Sequence, residues 1–371
     1  MSQDFKKQVS NILQHTEDDS SLIKQLKNLL DESEISGNTI TETKSALELY
    51  NENIDSFNSS QGQENLIKTL YGSLDDLIGG FVPGELVVVG ARPSMGKTQL
   101  LINLCLNFSK TLPVLYFTFD LSDNLLTNRF VSTLSSIPIN RILQRNLLAE
   151  EKQLLSSYGN YFAEHKIYIN GGGISSLSQF RNQCLSQIES NGIKVIFVDF
   201  LQMITSNKYR GNREQEVSNF SRELKSIAKQ NNVLVVAASQ LSRSLEYRKE
   251  SKVPQLSDLR ESGSIEQDAD KVIFLFRPEY YGINNDEMGE LNEGETHLCL
   301  AKNKIGKTGV VKIKLGLNNT SFVDMESDSR MYIPNEGFRT VEQDNRDFNF
   351  SKNRINELNM NFKLGEEEAP F

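Results

Sequence analysis

Two stretches of this sequence carry residues able to handle a phosphate. Residues 91–98 are Ala91, Arg92, Pro93, Ser94, Met95, Gly96, Lys97 and Thr98, and residues 301–308 read Ala-Lys-Asn-Lys-Ile-Gly-Lys-Thr. Both fit a loose pattern in which backbone N–H groups and a lysine cradle phosphates while a hydroxyl reaches a divalent cation. Their surroundings separate them. The first follows the apolar run Glu85–Gly90 and leads into an amphipathic helix start, Gln99–Phe108. A strand, a glycine loop and a helix N-terminus together make an anion cradle, because free N–H groups and the helix dipole converge there. Lys97 would reach the β- and γ-phosphates, and Thr98 would ligate Mg2+. The second stretch is followed by Gly309–Leu315, another strand, and so lacks a helix N-terminus. It brings Lys302, Lys304 and Lys307 to a turn. That turn reads either as a solvated charged loop or as a cationic tip presented to something outside the subunit.

A nucleotide hydrolase also needs a carboxylate beside the metal, a base for water and a contact to the γ-phosphate. In open α/β sheets ligands lie at the carboxyl ends of strands. Asp199 closes the run Lys194–Phe200, Asp120 follows Pro113–Phe119, and Gln240 follows Val233–Ser239. These three are the candidates for metal-side carboxylate, base and γ-phosphate sensor.

The elements that must position them are legible as short β-rich runs separated by longer helical stretches. Strands are expected at 85–90, 113–119, 166–169, 194–200, 233–239, 271–276, 297–301 and 310–315. The first five are nearly continuous apolar runs, the pattern of strands buried on both faces of a parallel sheet. Helical stretches at 98–109, 175–190 and 213–230 fall between them. The alternation predicts an α/β fold, a doubly wound, mostly parallel sheet ending in a C-terminal antiparallel hairpin. Three regions are expected: a helical N-terminal extension and linker (1–64), the α/β domain (65–330) and an acidic, mobile tail (331–371). The extension shows helical spacing at 5–14, 21–32 and 41–57.

Composition bounds the alternatives. The chain has 371 residues, 38% of them apolar and 24% charged. No apolar run nears the roughly 20 residues needed to span a bilayer, and the N-terminus has no signal core. A cytoplasmic protein is therefore expected. Cys105, Cys184 and Cys299 form no CxxC pair, which argues against a zinc site or a disulfide framework. His15, His165 and His297 are isolated and receive no role. Net charge is −9, and the first 60 residues hold eleven acids against five bases. Any nucleic acid would then be held by local groups rather than by a basic surface.

Residues 91–98, the runs Val198–Met203 and Ser239–Arg248, and above all Ser257–Asp270 (Ser-Asp-Leu-Arg-Glu-Ser-Gly-Ser-Ile-Glu-Gln-Asp-Ala-Asp) closely resemble motifs of the DnaB family of hexameric replicative helicases. The resemblance runs over about residues 70–325 and corresponds to that family's RecA-like motor domain. It implies an ATP- and Mg2+-dependent, ring-forming helicase or translocase moving 5′ to 3′ on single-stranded DNA, in replication or in a mobile element. By position, Ala91 to Thr98 bind ATP, Thr98 and Asp199 serve the metal, and Gln240 senses the γ-phosphate and couples it to the DNA loops. Arg260, Glu261 and Gly263 fall in the loop that grips the DNA backbone, as an arginine and exposed N–H groups beside a glycine can do without reading bases. Lys208, Arg210 and Arg213 match a second DNA loop. Lys302 and Lys304 fall where the family reaches into the neighbouring subunit's ATP site, so that six subunits in head-to-tail contact complete one another's centres. A helicase loader or other replication proteins are implied as partners.

Three departures stand out. Lys304 replaces the family's arginine finger, keeping charge but losing the bidentate fork. Asp120 stands where the family has glutamate, one methylene longer. Both imply slow or conditional hydrolysis. The family's N-terminal helical domain has no counterpart in the short extension, so primase binding is not expected. The rival expectations are a RecA-like ATPase that does not unwind, and a weakened DNA-binding ring that acts as a scaffold. The last seven residues, Gly-Glu-Glu-Glu-Ala-Pro-Phe, resemble the acidic tip of bacterial single-strand-binding proteins.

Overall fold

The computed structural model describes residues 10, 12, 22, 43–58, 66–172, 174, 176–203, 213–248, 251–285, 293–316, 319–325 and 331–332; at 260–263 and a few other positions it describes the backbone alone. The chain divides into two compact units, Met1–Glu64 and Asn65–Phe371. In the first, Ala46–Asn58 forms a helix, α1. Its start is a capping box: Glu48 N donates to Ser45 Oγ at 3.2 Å, and Ser45 N donates to Glu48 Oε2 at 2.6 Å. The helices expected at 5–14 and 21–32 fall almost wholly outside the described residues, apart from helical Ser10, Ile12 and Leu22.

The second unit is built on one sheet. In chain order its elements are α2 (Gly72–Ile78), β1 (Leu86–Ala91), α3 (Lys97–Ser109), β2 (Val114–Thr118), α4 (Asp123–Ser135), α5 (Ile139–Leu143), α6 (Ala149–Glu164), β3 (Ile167–Asn170), α7 (Leu177–Asn191), β4 (Val195–Asp199), α8 (Arg213–Asn231), β5 (Leu234–Gln240), α9 (Ser244–Tyr247), α10 (Gly263–Asp268), β6 (Lys271–Phe276), β7 (Glu295–Asn303), β8 (Gly309–Leu315), β9 (Phe322–Asp324) and β10 (Met331–Tyr332). The strand order is β10-β8-β7-β6-β1-β5-β4-β2-β3, with β9 also paired to β8. From β6 to β3 every pairing is parallel. From β6 through β7 to β8 the ladder turns antiparallel. All eight expected strands form, each within two residues of its expected ends.

Apolar runs become central strands here because both faces are covered. Along β1, Val87, Val89 and Ala91 join the core on one side with α3, and Leu86 and Val88 join the core on the other with α7 and α8. Alternate side chains of a strand point to opposite faces, so both parities must be apolar. The second core is anchored by aromatic packing: Phe180 of α7 lies 4.8 Å from Phe117 and 5.1 Å from Phe220, centroid to centroid. A buried ion pair ties the start of β6 to the residue before β1. Lys271 Nζ lies 2.5 Å from Glu85 Oε1, with the lysine side chain 0% exposed.

This layout brings four strand ends together. The order β1-β5-β4-β2 aligns Ala91 with Gln240, and Thr118 with Asp199. Whatever follows those strands must meet along one edge.

Candidate nucleotide-binding site

The phosphate loop is a tight structure between β1 and α3. Ser94 and Gly96 both adopt positive φ, 65° and 98°. At 96 only glycine suits the turn, because a Cβ there would also come within 3.2 Å of the Phe322 ring. The turn delivers the backbone to the N-terminus of α3, whose first two residues are Lys97 and Thr98. The loop opens on a cleft of about 470 Å3 lined by Pro93, Ser94, Gly96, Lys97, Thr98, Gln99, Asp120, Arg129, Asp199, Phe200 and Gln240. Lys97, Thr98, Asp120, Asp199 and Gln240, drawn from four separate segments, therefore do share one site.

The charges within it are poised against each other. Lys97 Nζ donates to the carbonyls of Ala91 at 2.9 Å and Arg92 at 3.3 Å. Burial, only partly offset by the Asp199 carboxylate, lowers its pKa to about 8. Asp199 is 3% exposed. Burial raises its pKa, against hydrogen bonds from the Thr98 and Tyr116 hydroxyls and the charge of Lys97. Tyr116 OH donates to Asp199 Oδ2 at 3.0 Å. Asp199 and Thr98 are hard oxygen donors in mutual contact, a set that fits Mg2+, which takes one or two protein ligands and completes its shell with water and phosphate. Among the described residues no cluster of three or more His, Cys, Asp or Glu makes a closed metal cage.

Four residues that sequence reasoning missed complete the site. Tyr116 holds Asp199. Arg129, on α4, lines the cleft with its Nε buried and without a hydrogen-bond partner. Gln202 fixes the sensor strand: its Oε1 accepts from Gln240 N at 3.2 Å, and its Nε2 donates to Ser239 Oγ at 3.0 Å. Asp270 receives Lys304. None of these stands at a strand end or in a glycine loop, the two signals that found the others.

The second stretch is a hairpin: β7 ends at Asn303, the turn follows, and β8 starts at Gly309. It makes no cradle. Lys304 Nζ donates to Asp270 Oδ1 at 2.9 Å, and Lys304 N donates to the Asp270 carbonyl at 3.0 Å. Lys302 Nζ donates to the Glu266 carbonyl at 2.5 Å. Both lysines are thus held by the segment that follows the expected DNA loop.

In that loop Arg260 and Glu261 belong to a 3-10 turn, Leu256–Ser262, and Gly263 begins α10; their side chains lie outside the described residues. Lys208 and Arg210 also lie outside them, as does the acidic C-terminal tip. Arg213 begins α8 and is engaged within its own chain. It pairs with Glu216 at 2.7 Å and donates to the Gln202 carbonyl.

Comparison with known proteins agrees with this geometry. The family described as DnaB-like helicase C terminal domain matches residues 67–324. The replicative DNA helicase DnaC of Bacillus subtilis (strain 168) is 34% identical over 278 residues, which span 74% of this chain and 60% of that protein. A probable replicative DNA helicase of Trieres chinensis is 38% identical over 255 residues, spanning 68% and 55%. The chain thus spans roughly 60% of the length of the curated relatives it matches. Among solved structures, one titled as an isolated ATPase domain superposes with a TM-score of 0.69 at 28% identity, covering 77% of this chain and 100% of that one. A structure titled as a DnaB-like replicative helicase and its interactions with primase gives 0.65 at 27% identity, covering 87% and 75%.

Proposed function

The chain belongs to the family of the DnaB-like helicase C-terminal domain, and on that premise we propose that it is an ATP-driven, ring-forming motor that moves on single-stranded DNA and unwinds duplex. The observation that carries this reading is the meeting of Lys97, Asp199 and Gln240 in one cleft at the ends of adjacent strands. Each residue there has a task in phosphoryl transfer. The loop N–H groups and Lys97 bind the β- and γ-phosphates. Thr98 and Asp199 would hold Mg2+, which supplies positive charge to the phosphate oxygens. Asp120 takes the proton of the attacking water. Gln240 contacts the γ-phosphate and reports its presence. Arg129, with a buried N–H free in the cleft, adds a cation facing the phosphates.

Lys302 and Lys304 act in a neighbour's site. In the lone chain they sit on Glu266 and Asp270, outside the cleft lining, which supports a role across a subunit boundary. Six subunits in a head-to-tail ring give each cleft a hairpin. Arg260, Glu261 and Gly263 then line a central channel and grip the DNA backbone, with Lys208 and Arg210 as further contacts. The 5′ to 3′ polarity, a place in chromosomal or mobile-element replication inside the cell, and contact with a loader are part of the same proposal. So is the division into an extension (1–64), motor (65–330) and tail (331–371). No described helix is long and apolar enough to cross a membrane.

The test is turnover and strand displacement by the full chain and by Lys97→Ala. The expected result is DNA-stimulated hydrolysis and unwinding, both lost in the variant by a factor of at least ~100. Hydrolysis without displacement would leave a RecA-like ATPase, and absence of Lys97-dependent turnover would leave a DNA-binding scaffold.

A further inference from the structure

Between the end of β5 and the 3-10 turn that carries Arg260 runs a strap, residues 241–248, centred on the single turn of α9. Ion pairs fix it on two sides. On one side stands Arg92 of the phosphate loop, only 5% exposed. It donates from Nε and Nη2 to Glu246 Oε1 at 2.8 and 2.6 Å, and from Nη1 to the Leu241 carbonyl at 2.7 Å. On the other side Arg248 Nη2 donates to Asp258 Oδ1 at 2.5 Å. The backbone repeats both ties: Leu241 N donates to the Ala91 carbonyl at 3.2 Å, and Ser242 N to the Asp258 carbonyl at 2.9 Å. Asp258, whose side chain is 3% exposed, lies in the same 3-10 turn as Arg260 and Glu261.

Glu246 and Arg248 are two residues apart on one short element. A buried guanidinium using three N–H donors, and a buried carboxylate paired to a second guanidinium, are charge-assisted contacts whose rupture leaves an uncompensated charge. When the phosphate loop or the end of β5 shifts, the strap must shift with Arg92, and the turn bearing the DNA-facing residues must follow Asp258. Interactions that served only to hold the loops closed would have no need to join these two segments through one strap.

We propose that Arg92–Glu246 and Arg248–Asp258 form a two-step ionic relay that transmits the nucleotide state of the phosphate loop to the DNA-gripping turn. The four are positioning residues, acting through the loop and the turn. The relay rests on the motor reading above.

The test uses the full chain with Glu246→Gln, Asp258→Asn and Arg248→Lys. Three quantities are measured: ATPase without DNA, ATPase with saturating thymidine oligonucleotide, and affinity for that oligonucleotide with and without a non-hydrolysable ATP analogue. Disruption of the relay lowers the ratio of the two affinities and the DNA stimulation by ~5-fold or more, with DNA-free turnover within about twofold of wild type. Arg248→Lys keeps the charge without the fork and falls between. Glu246, with its side chain 39% exposed, tolerates substitution without unfolding, so Glu246→Gln decides if Asp258→Asn does not fold. Wild-type ratios in Glu246→Gln, or a lowered Tm and DNA-free turnover at unchanged ratios, overturn the relay. A wild-type chain whose DNA binding ignores nucleotide overturns the motor reading and the relay with it.

Discussion

Lys97 carries its charge against its surroundings. Burial draws its pKa from the ordinary 10.5 to about 8, and the Asp199 carboxylate offsets only part of that. Below about pH 8 native and unfolded chains both hold the proton, and the cost of burying it is felt in full. Between about 8 and 10.5 the native chain releases the proton first, so the unfolded state binds more protons and stability rises with pH. Denaturant unfolding across that range will show this rise in wild type and lose it in Lys97→Met; nucleotide affinity of the free chain will fall over the same interval. Lys304 poses a second residue-scale question. With a lysine in place of a forked guanidinium, Lys304→Arg is expected to raise turnover of the assembled protein by about tenfold. Lys304→Ala will depress turnover strongly and leave nucleotide binding intact, and steady-state kinetics beside a binding titration separate the two. Lys97, Asp199 and Gln240 were legible because each stands at a strand end or in a glycine loop. Tyr116 sits mid-strand in an apolar run, Arg129 on a polar helix and Asp270 where an acid looks like punctuation. Their roles depend on which strands become neighbours, which one-dimensional spacing does not encode.

At the scale of elements, the parallel block was readable since its strands are apolar on both faces. The segment from α4 to α6 was not, because no residue of α5 or α6 is fully buried, so neither shows an apolar face. Strands β9 and β10, of three and two residues, are too short to leave a periodic trace. The sequence also hid the joint between β1 and β6. A lysine opening an apolar strand reads as a solvated end, yet Lys271 is fully buried against Glu85, with its ammonium 5.8 Å from the Phe81 ring centroid. Removing one partner leaves the other charge without compensation. Glu85→Leu should therefore cost roughly 3–5 kcal/mol, read as a lowered denaturation midpoint, while the double change Glu85→Leu with Lys271→Met should recover much of it.

At the scale of the whole molecule, the proposed ring predicts a species of six subunits by native mass spectrometry when ATP and single-stranded DNA are present. A preparation that stays monomeric under those conditions refutes it. The contact between Lys304 and Asp270 then acquires a thermodynamic meaning. A cation that leaves a carboxylate of its own chain to serve a phosphate on the next makes an exchange, not a gain. Added electrolyte screens the bond given up as well as the bond formed. Closure of the ring should therefore respond to ionic strength less steeply than a tally of charges across the boundary suggests, and Asp270→Asn, which leaves nothing to give up, should make that response steeper.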